Sequence, residues 1–577
     1  MNVRMNTFSS FTAAALLLLA VQRLSLAGSA TWSSNPASGD WNIATNWMPN
    51  TVPNGTSDVA TFAASDVTDV INTDAAIDLD SMVFNPGSPQ YTITSFYNIA
   101  LDGTGIVNDS GRIQSFVAGV FFFNNSATAG GMTQFTNVGA DIFFNDSSSA
   151  GSATIELSDN MHQAHLDFFD SSTAANATIS ATGGAEVSLE GNSTGGNASF
   201  RVSGESFLGI VEDASAGQAV ATCIGGDQFF GASIFFQGLG SADEGTFNAI
   251  GASSSGEKGA FIEFDGSATA AHGTFVIGGG LGAGLAATTL TFFDTTTAAA
   301  ANITANGGIG GSDGGAVIFT AKSKGGTASI TLLGNGELDI STRNAPGVTI
   351  GSLAGTGSAL LGVNTLTIGS NNQSTTFSGV MQGTGGVNKT GSGRLTLSGA
   401  NAYSGITTVS AGVLNVANKT GSGTGTGAVN MTFGTLGGKG IIAGATTIGT
   451  NAGTGAFLAP AGGNNKQATL TIESALTFNS DATYTCTFRA KKNKAKADQV
   501  IANGVTINGA TFNLVGQTQG SLKRGLRLTV ISNTSANPIS GTFSNLPDGG
   551  IVTINGNNFQ ASYEGGDGND LILTVVP

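Results

Sequence analysis

FFDSSTAANATISATGG (168–184) returns as FFDTTTAAAANITANGG (292–308), and IFFNDSSSAGSATIEL (142–157) and IEFDGSATAAHGTFVI (262–277) follow the same plan. Self-similarity of this kind signals a repeat architecture. Rows start at Phe121, Ile142, Leu166, Val187, Leu208, Ile234, Ile262, Leu290 and Val317, 21 to 28 residues apart. The first position is aliphatic or Phe. The third is Phe123, Phe144, Phe168, Leu189, Ile210, Phe236, Phe264, Phe292 and Phe319, and the ninth is always Ala or Gly. At the fourteenth stand Ile155, Ile179, Phe200, Phe247, Phe275, Ile303 and Ile330, while Gln134 and Ala221 break this second strand in two rows.

Apolar residues at alternate positions mean strands with one buried face. Asn, Asp, Ser and Gly between them supply corners. One such row cannot bury its own Phe, but stacked rows bury a continuous column. The expectation is therefore an all-β, elongated β-solenoid with capping segments, with equivalent residues about 4.8 Å apart along the axis. A β-sandwich of many short strands rarely keeps one register through nine rows.

Composition agrees. Only 10% of the 577 residues are charged, 87 are Gly, and 35 are Phe against five Tyr and three Trp. Long solvent-facing helices need a charged face, which this chain lacks. The net charge of −16 disfavours nucleic acid as a partner. Cys223 and Cys486 each sit in an alternating apolar pattern and are expected as buried free thiols. Arg4, the apolar run Ala13 to Val21 and the small residues of Ser25-Leu26-Ala27 or Gly28-Ser29-Ala30 read as an export signal over 1–30. No later segment is long and apolar enough to span a bilayer, so no membrane span is expected in the mature chain.

Residues 31–110 form a different block that holds Trp32, Trp41 and Trp47. They serve either as a carbohydrate-binding face or as plugs of the first coil, and the cap is the favoured reading. The Phe-rich rows occupy 111–344. A Gly/Thr-rich series follows over 345–490, then a C-terminal β region over 491–577. Within that series GVNKTGSGRLTLSGANAYSGITTVSAGVLNV (386–416) resembles the autotransporter-associated β-strand repeat of bacterial passenger domains. Lys389, Gly391, Gly393, Leu395, Leu397, Gly399, Asn401, Tyr403, Gly405, Thr407, Val409, Gly412 and Leu414 carry the resemblance. It implies a right-handed parallel β-helix on the outer surface of a bacterium, or in its extracellular matrix or periplasm. The chain ends LILTVVP without the amphipathic strands of a translocator barrel, so it is expected to be passenger-like with surface attachment by other means.

Residues with chemistry are few. Gly565-Gly566-Asp567-Gly568-Asn569-Asp570 resembles half of a calcium-binding repeat, but such sites need stacked copies, so a tight turn is expected. Asn125, Asp146, Asp170, Glu212 and Asp294 share a row position, interrupted by Gly191, Gly238, Gly266 and Ala321, and are expected as corner residues. His162 and His165, near Asp167, lack a third strong ligand for zinc, and His272 is placed at a solvated corner. Arg489, Lys491, Lys492, Lys494 and Lys496 are expected in a solvated hairpin loop, although such a run could touch anionic polysaccharide. A polysaccharide-cleaving groove needs clustered acid, base and cation residues, which this sequence does not offer. No catalytic, cofactor-binding or metal-ligating residue is assigned, and no cofactor. The expectation is a structural or adhesive surface protein whose partners are extracellular polysaccharide or surface components. The alternative is a glycan-binding or glycan-cleaving β-helix. Oligomeric state is left open.

Overall fold

The computed structural model describes residues 28–117, 119–158, 164–226, 231–462 and 466–577. The expected leader lies outside them through Ala27. The described chain is a parallel β-solenoid of about 18 turns, with the short 3-10 turn Ala44–Asn46 as its helical element. Two long ladders run along the axis. The first is a 17-stranded sheet that reaches from Ala30–Trp32 to Val380–Gly383. The second runs from Asp69–Asn72 to Thr511–Gln519. An eight-stranded sheet joins at Gly347–Ile350, and a seven-stranded one at Ile441–Ile442.

The nine rows align as read. Phe123 pairs with Phe144, Phe144 with Phe168, Phe236 with Phe264, Phe264 with Phe292 and Phe292 with Phe319, each one coil further on. All of these rings are buried. Phe236 and Phe264 lie 4.3 Å apart with planes 1° from parallel, and Phe144 and Phe168 lie 4.8 Å apart at 7°. Burying a Phe is worth about 1.5–3 kcal/mol, and ring stacking adds about 0.5–1.5 kcal/mol. Repetition thus supplies what a compact core supplies elsewhere.

The second strand is continuous in both rows where a break was expected. In the first, the register shifts between Gly131 and Gln134, so Phe135, not Gln134, pairs with Ile155 and is buried. One added residue before the strand moves the inward place by one, because side chains alternate faces. In the other row Ala221 pairs in line between Phe200 and Phe247. It is simply a small member of the column.

The corners between the two strands have a structure of their own. Between them lies a row of single bridges: Thr128, Ser149, Thr173, Thr194, Ser215, Ser241, Thr269 and Thr297, each bonded to the next coil. The hydroxyl of each accepts the N–H two residues on, as Ser149 Oγ does from Gly151 (3.0 Å) and Thr173 Oγ1 from Ala175 (3.0 Å). That second residue is left-handed in every coil, including Ala175 (φ 50°), Asp243 (48°) and Ala299 (45°). A left-handed Ala costs about 1–2 kcal/mol, which the hydroxyl bond and the coil-to-coil bonds offset.

Both ends are closed by aromatic and antiparallel material. Trp32, Trp41 and Trp47 are all buried, with Trp41 and Trp47 edge to face at 4.8 Å. Trp47 Nε1 donates to the Trp41 carbonyl. No ring of the three is free for a ligand. At the other end Arg527–Asn533, Asp570–Val576, Asn557–Gly565 and Ile551–Ile554 pair antiparallel across the last coils. Cys223 and Cys486 are buried free thiols. Among the described residues no helix is long and apolar enough to cross a membrane.

Candidate functional surface

The Gly/Thr-rich coils turn their polar motif residues inward. Val387–Lys389 belongs to the eight-stranded sheet and Arg394–Leu397 to the second ladder. Lys389 is buried, and its ammonium donates to the carbonyls of Thr390, Gly391 (2.9 Å) and Ala411 (3.3 Å). Burial pulls its pKa down to about 8. Asn401 links three coils: its Oδ1 accepts from Met381 N (2.8 Å) and its Nδ2 donates to the Gly423 carbonyl (2.6 Å). Tyr403 is buried with its hydroxyl 2.6 Å from Thr407 Oγ1. Gly412, at φ 67°, leaves room that a Cβ would fill 2.9 Å from Lys389 Nζ. Leu395, Leu397, Val409 and Leu414 are buried. Lys389 and Asn401 bond from coil to coil, and Tyr403 does so through Thr407, whose hydroxyl donates to the Thr424 carbonyl (3.3 Å).

The carboxylate column does the same at the first corner. Asn125, Asp146, Asp170, Glu212 and Asp294 all have positive φ, as do Gly191, Gly238, Gly266 and Ala321. The side chains reach along the axis: Asp146 Oδ2 accepts from Asn125 N (2.8 Å), Asp170 Oδ2 from Asp146 N (3.2 Å) and Glu212 Oε2 from Gly191 N (3.1 Å). They therefore bond to the preceding coil.

On the outer face of the first sheet Asp167 lies among carboxylates. Burial, then Glu190, Asp141 and Glu186, push its pKa up to about 8. His165 Nδ1 is 3.4 Å from Glu186 Oε2, and the backbone N–H of His165 donates to Asp141 Oδ1 (3.2 Å). His162 lies outside the described residues, and His272 is exposed. Among the described residues no group of three or more ligands is arranged for a metal ion. Beside this patch the outward Phe122 and Phe143 stack at 5.0 Å.

GGDGND is the turn between Asn557–Gly565 and Asp570–Val576. Gly566 and Gly568 take its left-handed positions. Asp570 Oδ1 accepts from Asn533 N (2.9 Å), and Asn569 Nδ2 donates to the Ser535 carbonyl (2.6 Å). The basic run is a two-stranded ribbon in which Ala482–Lys491 pairs antiparallel with Lys494–Ala497. Arg489 stands opposite Lys496 and Lys491 opposite Lys494, and all four are exposed.

Sequence reading had marked the motif glycines, the Phe column and the basic run. It missed the Ser/Thr bridge row, although a hydroxyl residue recurs one place before the small ninth residue in eight of the nine rows, Lys324 taking that place in the last. It also missed the carboxylates gathered around Asp167, which lie on three successive coils and meet only on the stacked face.

Residues 387–416 match the passenger-associated-transport-repeat family. The chain is also 41% identical over 95 residues to the adhesin BmaC autotransporter of Brucella suis biovar 1 (strain 1330). That match covers 16% of this chain and 3% of the relative, so the chain spans a small part of that protein's length. The solenoid, the inward-turned repeat and this similarity together mark the chain as a passenger-like β-solenoid that carries a passenger-associated transport repeat.

Proposed function

We propose that this chain is an exported surface or extracellular-matrix protein that acts as a stiff adhesive spacer without catalytic activity. The observation that carries the reading is the inward direction of the repeat's polar residues: Lys389, Asn401 and Tyr403 all bond within the stack. A motif spent on holding coils together builds length, and adhesion then falls to the outward faces, which vary from coil to coil. Phe122, Phe143, Asp167, Ser188, Gly209, Phe235 and Glu263 follow one another on the outside of the first sheet. Similarity to an autotransporter adhesin supports the same reading.

The test is binding of the purified full chain to matrix proteins and a glycan array, with reducing-sugar release measured in parallel on the glycans that bind. Retention without release is the expected result. Release of reducing ends would contradict the non-catalytic reading and favour a glycan-cleaving β-helix.

A further inference from the structure

Charge is distributed unevenly along the rod. Residues 31–344 hold six Lys and Arg against 30 Asp and Glu, whereas 345–577 hold 13 against seven. Eight of those cations fall between Arg489 and Arg527, with Asp498 as the single acid. Asp498 is buried, and its carboxylate accepts backbone N–H groups of Ala461, Ala468 and Thr487. It does not neutralise the surface cations.

The cations form a platform. Lys496 and Arg489 stand opposite each other on adjacent strands, and Gln517 is in register beyond them. The next row is Lys494, Lys491 and Gln519. Rows two residues apart along a strand are about 6.8 Å apart, and strands about 4.8 Å. Lys523 N donates to the Lys492 carbonyl (2.8 Å), which brings Lys523 and Arg524 beside the ribbon's turn. The ion pair found among the described residues is His165–Glu186, at a distant coil. Like charges directly opposite one another are destabilising, so this arrangement is relieved by an anionic ligand.

We propose that the ribbon Arg489–Lys496 is a docking surface for a linear anionic polysaccharide, bearing uronate or sulphate groups, that crosses the rod at its C-terminal end. This gives the adhesive reading a ligand class and rests on that reading. Two rows of cations with flanking amides suit a polymer that carries one charge per sugar and hydroxyls between. A shallow recess lined by Gln467, Thr487, Arg489, Val515 and Gln517 adjoins them, with Val515 exposed for a sugar face. The acidic remainder repels the same polymer, which confines contact to this end. A second copy of the chain, whose residues 31–344 are acidic, is the competing occupant, and self-association tests for it. A single-stranded nucleic acid would want exposed rings for its bases, and the ribbon has none.

The experiment measures retention of the full chain on immobilised dextran sulphate, polygalacturonate and neutral dextran, with phosphatidylglycerol vesicles as a further arm and sedimentation for self-association. Salt-sensitive binding to both polyanions is expected, with none to neutral dextran. Lys491→Glu with Lys494→Glu should weaken it at least tenfold, while Lys322→Glu with Lys324→Glu leaves it intact. Lys491→Gln with Lys494→Gln replaces the first pair should that pair misfold. Unchanged binding in the ribbon variant, binding to vesicles alone, or self-association that the variant abolishes would each overturn the proposal. Wild-type chain that adheres to matrix yet ignores both polyanions would overturn it and leave the adhesive reading standing.

Discussion

Phe264 lies face to face with Phe292, ring centroids 4.9 Å apart and planes 16° from parallel, although 28 residues separate them. The pair is one step of the column on which the rod rests. Phe292 meets Phe319 in the same way, at 4.9 Å and 9°. Each ring is therefore covered above and below, and its loss opens a cavity that the flanking coils cannot close.

Phe292→Ala should accordingly cost about 3–5 kcal/mol. Asp294→Asn, two residues on and exposed, should stay within about 0.5 kcal/mol. Denaturant melts of the full chain, with hydrogen exchange to localise the loss to the coils around Phe292, make the comparison. If Asp294→Asn proved the more damaging, the assignment of inward and outward faces would be wrong.

Lys389 makes a second prediction, in the passenger repeat. Lys389→Met leaves the carbonyls of Gly391 and Ala411 without their donor and should cost about 1–3 kcal/mol. Gly412→Ala should destabilise by about 1–3 kcal/mol, because its φ is 67° and the new Cβ would stand 2.4 Å from the Gly391 carbonyl oxygen. Thermal melts of both variants against wild type check this, and a neutral Gly412→Ala would refute the close approach.

Asp167 predicts a pH dependence. Its pKa rises from the ordinary 3.8 to about 8 in the folded chain, chiefly by burial, so the folded state holds the proton more tightly than the unfolded one. This contribution is fully present below about pH 3.8 and is lost as pH rises through about 8. Asp167→Asn should remove it, raising stability at pH 9 relative to pH 5 by a few kcal/mol against wild type, about 1.4 kcal/mol for each pH unit between 5 and about 8. Melting temperatures of the two proteins at both pH values decide it. Parallel pH profiles would show that Asp167 is solvated and ionised.

Much of the fold was legible because the Phe rows repeat a physical requirement: an inward ring every coil, a small residue at the bend, an alternating second strand. Phe264 and Phe292 announce themselves by position. Gln134 misled because one inserted residue exchanges the two faces of a strand, and the sequence carries no local mark of where the insertion falls. The outward surface was less legible. Asp141, Asp167, Glu186 and Glu190 become neighbours only through stacking, and an outward position tolerates many residues, so no period betrays it. The basic run was visible in sequence, but the facing of Arg489 with Lys496 required the ribbon.

The stacking itself is open to a direct distance measurement. Thr178 and Asn302 are exposed and lie in one column of the second ladder, joined through Ser199, Val220, Thr246 and Thr274. Spin labels at Thr178→Cys and Asn302→Cys, with the two native thiols buried, report the separation by pulsed electron resonance. Five steps of about 4.8 Å predict a narrow distribution centred near 24 Å, broadened by the label arms. A broad distribution, or a centre beyond about twice that value, would contradict the in-register solenoid.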